Sequence, residues 1–386
     1  MAYEKLNWQD GKAPAVSAEN LNHMDEGIAG AQNPYTAAQL LSDTTRGVLG
    51  LGSDTTPDDA FLSLAIGTGT YGYRVKIQFA DGTPVEGATV SGITALTGST
   101  LVSGADGIVL GKSTSRTVTI GCTSPYIDQA APASQSVTAT GTITDVTLTL
   151  TAITGMITVT SSKTTKVSSK AKTMDVTAVG GGGGGGGGCS SGDYEQSAGG
   201  GGGGYVSTKT GIASVANAAL KITVGSAGSG GPTQRNSASP GTSGGTTSVT
   251  LDDAVLVTAS GGNGGESSYG KSYGTLISGG TGNGNGGTGT SKSGVNCSGS
   301  AGFGYIFNDS TLGRAGGGGG GGGGYSGATS VAGGSPNGGN GVQFTGSYTF
   351  TEGTVGKDFG GGGGGGRYNV DGYAGGAGGV YLRFHF

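Results

Sequence analysis

The chain is poor in charge, proline and cysteine, and each shortage excludes a class of protein. Only 11% of its 386 residues are charged and the net charge is −4. This is unlike the high charge of disordered chains, and it leaves no basic patch for nucleic acid. The 9 prolines are too few for a collagen triple helix, which also needs glycine at every third position. The cysteines Cys122, Cys189 and Cys297 are far apart, so we expect neither a zinc site nor a disulfide framework.

Long apolar runs are also missing. No segment reaches the roughly 18 apolar residues of a membrane-spanning helix. The first residues lack the basic and apolar regions of a signal peptide. We therefore expect synthesis in a cytoplasm and no membrane insertion.

Residues for catalysis are scarce. Of the two histidines, His23 lies two residues from Asp25, a spacing that does not share a helix face, and His385 has no acidic or hydroxyl neighbour in the sequence. Asp252 and Asp253 lie between two predicted strands, which favours a hairpin turn over a metal or acid–base pair. We expect no enzyme activity, no catalytic residue, no cofactor and no metal.

Glycine is what the chain has in abundance. It contributes 91 residues, and four uninterrupted runs occupy residues 180–188, 199–204, 316–324 and 360–366. Glycine has no side chain to bury and loses the most backbone freedom on folding. Each run is therefore either a flexible linker or part of a body built from bare backbone.

The glycine runs can form a folded domain if they are polyglycine II helices, which have three residues per turn and no internal hydrogen bonds. Their N–H and C=O groups then need partners on neighbouring helices. Strand-like segments between the runs favour this interpretation over a linker. They are residues 219–224, 247–251, 254–258, 347–350 and 380–384. Further glycine-rich tracts are predicted at 225–231, 261–265, 279–288, 333–341 and 374–379.

Short alternating segments before the glycine runs predict a small β-sandwich. Strands are expected at 74–79, 88–90, 108–110, 117–120 and 143–150, with turns at Asp81-Gly82 and 105–107. Two more strands are expected at 156–160 and 174–179, with a lysine-containing loop over 161–172 between them.

The N-terminal part predicts a short helix. Ser17 is a plausible N-cap, and Leu21, Met24 and Ile28 form one apolar stripe. The stripe is too short to be stable alone, so we expect it to pack on another chain.

These patterns resemble known modules. Residues 81–90 (DGTPVEGATV), 105–112 (ADGIVLGK) and 124–128 (SPYID) resemble carboxypeptidase-regulatory-like or bacterial immunoglobulin-like domains, which are usually spacers. The segment YEKLNWQDGKAPAVSAENLNHMDEGI is similar to the start of tail-fibre and baseplate proteins of phages that infect Gram-positive bacteria, and residues 40–64 also resemble phage tail fibres. The C-terminal half resembles the glycine-rich domain of phage tail proteins and the polyglycine-sandwich adhesins of some fibre tips.

The resemblance implies a phage tail-fibre receptor-binding protein located in the virion. Residues 1–68 would attach to the tail or baseplate, residues 69–151 would form the sandwich spacer, and residues 152–386 would be the receptor-binding tip. A homotrimer is expected from the family. The receptor would be a polysaccharide or protein of the bacterial surface.

Contact residues are predicted in loops rich in aromatic and polar side chains, because rigid scaffolds present binding residues on loops. Tyr205 and Tyr325 are instead expected only to cap glycine runs. The candidate contacts are Tyr194, Glu195, Tyr269, Tyr273, Tyr305, Phe307, Asn308, Asp309, Arg367, Tyr368 and Tyr373. Two alternatives stay open: a purely structural tail component, and an ice-binding protein with a flat threonine and alanine face.

Overall fold

The computed structural model describes residues 70–96, 100–141, 143–191, 194–234, 236–272, 274–290, 296, 298–300, 319–323, 330–335, 337–346 and 349–386. All the regular secondary-structure elements in these ranges are β-strands, which confirms the prediction of a mainly β protein. The predicted helix over 17–28 and the attachment region 1–68 lie outside the described residues. No helix in the described ranges has the length and apolarity needed to cross a membrane.

The chain forms two compact units. The described part of the first covers residues 70–123 and 133–149, and the second covers the described residues of 124–132 and 150–386. The first strands are β1 (Tyr71–Phe79), β2 (Thr89–Ser91), β3 (Thr94–Ala95), β4 (Ile108–Ser113), β5 (Thr117–Thr123), β6 (Gln129–Ala130), β7 (Gln135–Thr138) and β8 (Ile143–Ala152). The remaining strands are β9 (Met156–Val159), β10 (Lys163–Lys166), β11 (Thr173–Val179), β12 (Ser190–Ser191), β13 (Tyr194–Glu195), β14 (Val206–Ala213), β15 (Ala219–Thr223), β16 (Thr233–Gln234), β17 (Ser237–Ala238), β18 (Thr247–Leu251), β19 (Ala254–Ala259), β20 (Gln343–Gly346), β21 (Thr349–Thr351) and β22 (Gly379–His385).

The first unit contains two antiparallel sheets, in the orders β3–β4–β1–β8 and β2–β5–β7. In β1 the alternate residues Val75, Ile77 and Phe79 are buried, as the sequence pattern predicts. The expected turns are present, with Gly82 at φ +83° and Gly107 at φ +76°. Only glycine adopts such angles without strain, and this fixes both turns.

The second unit begins as a β-sandwich that we call the base. Its two sheets have the orders β10–β15–β18–β19 and β14–β11–β22–β9. Side chains from both sheets, among them Val176, Leu220, Val249 and Leu382, share one buried cluster. The strands expected at 156–160, 174–179, 219–224, 247–251, 254–258 and 380–384 are all present within one or two residues of the predicted bounds.

Two predictions about the base are wrong in detail. Part of the expected loop over 161–172 is strand β10, which pairs with β15 from Lys163↔Ile222 to Lys166↔Ala219. Strand β14 was not predicted, because its side chains are mostly exposed and show no apolar alternation. Both strands lie at sheet edges, where pairing with a partner strand rather than burial of side chains fixes the conformation.

The glycine-rich segments continue directly from the base strands. Residues 180–188 follow β11, residues 199–204 lead into β14, and residues 370–378 lead into β22. In the same way 225–231 follows β15, 239–245 leads into β18 and 260–268 follows β19. We call these extended segments tracts, and together they form a bundle on one side of the base.

The tract 180–188 lies at the centre of six others, and its hydrogen bonds repeat every three residues. The N–H groups of Gly181, Gly184 and Gly187 donate to residues 245, 242 and 239. Those of 182, 185 and 188 donate to 376, 373 and 370, and those of 183 and 186 donate to 202 and 199, all at 2.8–3.1 Å. Its carbonyls accept from 225–231, 260–268 and 360–366. Every N–H group of the tract is therefore satisfied by a remote part of the chain.

Contact between the tracts is close enough to exclude side chains. A Cβ added to Gly184 would lie 2.0 Å from the Ser229 carbonyl oxygen, and one added to Gly201 would lie 2.1 Å from the Gly183 oxygen. The tracts 199–204 and 360–366 are enclosed as 180–188 is, and all three are buried. Glycine is required in them because neighbouring backbones occupy the space of a side chain.

The tract boundaries differ from the prediction in several places. The segment expected at 333–341 crosses a turn, because Gly338 N–H donates to Gly334 O and Gly341 N–H donates to Val331 O. The segment expected at 279–288 is two antiparallel tracts, 277–283 and 284–290, since Gly286 N–H donates to Gly280 O and Ile277 pairs with Gly289. The tracts 239–245 and 354–357 were missed. They lie on the outside of the bundle and contain no long glycine run.

Candidate functional site

Several loops meet at the end of the bundle opposite to the base, which we call the distal end. The tract 180–188 leaves the base at Gly180 and reaches this end at Gly188, where Gly188 N–H donates to Val370 O at 3.1 Å. The connecting segments 189–198, 232–238, 269–276 and 367–369 therefore belong to one surface. The predicted contact residues come from four loops, 189–198, 266–273, 303–310 and 367–373. The first, second and fourth loops overlap with this surface, and 303–310 lies outside the described residues.

The loop 189–198 is fastened to its neighbours through buried polar groups. Cys189 N–H donates to Ser268 Oγ at 2.8 Å, and Gln196 Nε2 donates to the Lys271 carbonyl. Cys189, Gln196 and Ser268 are all buried. The first contact joins the loop to the tract 260–268, and the second joins it to the segment 269–276.

Arg367 is the buried residue of the loop 367–369. Its side chain is fully buried, its guanidinium lies 5.7 Å from the centre of the Phe350 ring, and its backbone bridges Ser197. Tyr368 stacks on the same ring with centroids 6.4 Å apart. Arg367 was predicted as a contact residue, and the structure places its side chain beneath the surface, against the Phe350 ring.

A tight turn presents Tyr368. Tyr368 and Asn369 have φ angles of +42° and +58°, and Asn369 N–H donates to Gly188 O at 2.9 Å. Positive φ is unusual for non-glycine residues and is found at strained functional positions as well as in turns. The adjacent Asp371 Oδ1 accepts from Thr233 N–H at 2.7 Å, which ties the turn to the 232–238 loop.

The exposed part of the distal end lies on 269–276. Tyr269 is 54% exposed and Leu276 is 55% exposed. Lys271 forms an ion pair with Glu266 at 3.4 Å. This segment therefore exposes an aromatic ring and a leucine, and it carries one partner of a charged pair.

The other predicted residues fall into three groups. Tyr194 and Glu195 form strand β13, which pairs with β12, and their side chains lie outside the described part. Tyr273, Tyr305, Phe307, Asn308, Asp309 and Tyr325 lie outside the described residues. Tyr373 belongs to a tract: its hydroxyl accepts from Gly353 N–H at 3.2 Å and its carbonyl from Gly185 N–H. Tyr205, expected as a cap, accepts from Gly180 N–H at the base end of the bundle and is 41% exposed.

In the described part of the chain, the groups with clearly shifted pKa values belong to the base and to the first unit. Burial raises the pKa of Tyr381, in the base, to about 12, and its ring lies 4.8 Å from that of Phe359. In the first unit, burial raises the pKa values of Cys122 and Tyr73. The described residues contain no group of three His, Cys, Asp or Glu side chains able to hold a metal.

Sequence comparison agrees with this division of the chain. No curated protein matches it. A family model described as a glycine-rich domain matches residues 157–385, which is more than half of the chain and spans the base strands from β9 to β22 with all the described tracts. The chain therefore belongs to this family of glycine-rich domains.

Proposed function

We propose that this chain is a receptor-binding protein of a phage tail, which attaches the virion to the bacterial surface through the distal-end loops. The observation that carries the proposal is the convergence of those loops on one end of a rigid bundle, with Tyr269 and Leu276 exposed between them. Loops on a rigid scaffold lose little freedom on binding, which favours affinity. The resemblance of the N-terminal sequence to tail proteins supplies the virion context.

We infer further that the tracts are polyglycine II helices. Their three-residue hydrogen-bond period supports this assignment, as does the absence of positive φ at the described glycines of 180–188 and 199–204. The remaining parts of the proposal are attachment of residues 1–68 to the tail, a spacer role for 69–151, trimer formation and a non-enzymatic mode of action. A cell-surface polysaccharide or protein is the proposed receptor.

The first test is binding of the purified, fluorescently labelled full chain to cells of strains that the phage infects. We expect saturable binding that unlabelled protein competes away. Tyr269→Ala is expected to weaken binding by about tenfold or more, as removal of an exposed aromatic contact often does. Tyr205→Ala removes a similarly exposed tyrosine from the base end and is the matched control.

The alternative hypothesis, a purely structural tail component, predicts the opposite result in this binding experiment. In that case cells do not bind the chain, and exchange of the loop 189–198 or 269–276 between relatives leaves host range unchanged. Under the receptor-binding proposal the same exchange shifts host range. Equal binding by Tyr269→Ala and Tyr205→Ala, with both loop exchanges neutral, argues for the structural component.

A further inference from the structure

The outer tracts carry backbone groups that point away from the bundle, and on most sides the chain's own side chains pair with them. Ser229 N–H donates to Thr242 Oγ1 at 2.7 Å, Gly333 N–H to Asn340 Oδ1 at 2.9 Å, and Asn340 N–H to Thr354 Oγ1 at 2.8 Å. Each of these bonds bridges the groove between two neighbouring tracts. An outward N–H is thereby satisfied and the groove is closed.

One side of the bundle also has a row of side chains across its surface. On the tracts 239–245, 260–266 and 277–283, Ser243 Oγ lies 3.3 Å from Asn263 Oδ1, and Asn263 Nδ2 donates to Thr281 Oγ1 at 2.6 Å. We call this side the polar face. Its grooves are covered by exposed side chains that water solvates.

A different side lacks such covering. It consists of the tracts 225–231, 370–377 and 354–357, which we call the open face. Gly372 and Gly375 donate to residues 231 and 228, and Gly356 donates to residue 374, so the three tracts lie side by side with 370–377 in the middle.

Unpaired groups line the grooves of the open face. Among the described residues, the N–H groups of Ala227 and Gly230 have no acceptor, and the C=O groups of Gly372 and Gly375 have no donor. Because directions repeat every three residues along each tract, these two rows face the groove between 225–231 and 370–377. No side chain larger than a methyl group stands on either row.

The second groove, between 370–377 and 354–357, has the same character beyond its end at Gly353, where the Tyr373 ring contacts Gly353 and its hydroxyl accepts from Gly353 N–H. The N–H groups of Ala374 and Ala377 have no acceptor in the described part of the chain. Along the other wall Val355 is 54% exposed. Each groove therefore presents unpaired backbone groups to which a further tract could hydrogen-bond, as tracts do inside the bundle. The edge strand of a β-sheet presents unpaired groups to another strand in the same way.

We propose that the open face is where a second copy of this chain docks, with its tract 370–377 lying in the groove between 225–231 and 370–377 of the first. The same face carries rows of donors and rows of acceptors, so two copies related by a two-fold axis complement each other. Small residues allow the backbones to approach as closely as they do inside the bundle. The inference does not depend on host binding.

The interface is expected to be weak. The tract 370–377 extends roughly 25 Å, and a face three tracts wide is at the small end of specific interfaces. Sedimentation of the full chain is therefore measured up to on the order of 100 μM, where we expect reversible association of the wild type.

Two variants test the face. Ala227→Arg places a long charged side chain in the groove and is expected to abolish association, while Ser260→Arg on the polar face leaves it unchanged. Ala227→Arg could fail to fold, which would show as loss of its thermal unfolding transition. Val355→Arg is then the test variant, because it changes a side chain that is already exposed and is expected to leave the fold intact. A wild type whose mass does not rise with concentration overturns the proposal, as does concentration-dependent association that survives in a folded Ala227→Arg or Val355→Arg variant.

Amide exchange separates backbone pairing from simple apolar contact. In protein labelled with [15N]alanine, exchange at Ala227, Ala374 and Ala377 is expected to slow as concentration rises. The amide of Ala178, inside the base, reports no such change. An assembly that forms without slowing exchange at the three open-face alanines contradicts docking through these tracts.

Discussion

At the scale of single residues, the interior of the bundle depends on the absence of a side chain. Each central glycine faces the carbonyl of another tract at a distance that no Cβ tolerates, as Gly184 does with Ser229. Ordinary cores are filled by apolar side chains, and deleting atoms from them leaves cavities. Here the damaging change is the addition of one methyl group.

Gly184→Ala is expected to destabilise the second unit by roughly 3 kcal/mol or more, because a Cβ 2.0 Å from the Ser229 oxygen forces two backbones apart. Thermal or urea unfolding measures the change. Gly155→Ala is the matched control, since nothing lies within 4 Å of the added Cβ there. Equal stability of the two variants argues against close packing of the tracts.

Tyr381 makes the stability of the base sensitive to alkali. Burial raises its folded-state pKa from 10.0 to about 12, so the unfolded state loses its proton first. The stabilisation is complete below pH 10 and is lost between pH 10 and 12, at about 1.4 kcal/mol per pH unit. Tyr381→Phe should flatten this part of the pH–stability curve. Parallel curves for wild type and Tyr381→Phe contradict the assignment.

At the scale of elements, turns fix how strands are paired. Asp252 and Asp253 connect β18 and β19 with φ angles of +45° and +65°, as the hairpin prediction requires. Asp252 Oδ1 also accepts from Ala219 N–H at 2.8 Å, so this pair of carboxylates serves the turn and the neighbouring strand β15.

Asp253→Val is expected to lower the unfolding free energy by about 1–2 kcal/mol, because a β-branched residue at positive φ is strained. Asp253→Asn keeps a residue type that accepts this conformation and should change stability by less than about 0.5 kcal/mol. Chemical denaturation of both variants checks the forecast. A Val variant as stable as the Asn variant shows that the turn does not constrain the hairpin.

Outer tracts contain N–H groups without an acceptor in the described part of the chain, whereas every N–H group of the central tract 180–188 is paired. In 370–377, Gly372 and Gly375 donate into the bundle, whereas Ala374 and Ala377 have no acceptor in the described part of the chain. In dilute protein we therefore expect slow amide exchange at Gly372, Tyr373, Gly375 and Gly376, and fast exchange at Ala374 and Ala377. Uniformly fast exchange along this tract indicates a mobile tether instead.

At the scale of the whole second unit, base and bundle are expected to unfold together. The strands continue without interruption into the tracts, as β11 does into 180–188, and the central amides pair only with remote tracts. Gly184→Ala should therefore also speed amide exchange in β11 and β22. Faster exchange confined to 180–188 means that the bundle opens independently of the base.

The sequence by itself determined that the bundle is built from backbone without side chains, and it determined most strands of the base. Long glycine runs excluded a conventional core, and apolar alternation located strands such as β1, β11 and β22. Pairs such as Asp252-Asp253 located turns. These signals are local, because each depends on the conformational preference of a few consecutive residues.

Only the tertiary structure decided the rest. The tracts 239–245 and 354–357 leave no glycine run in the sequence, because an outer tract needs bare backbone only where it faces a neighbour. Likewise, β14 is fixed by pairing, Arg367 is buried by the loops above it, and distant loops meet at one end. Hydrogen bonds between segments far apart in the chain set all these features, and no local pattern records which segments they join.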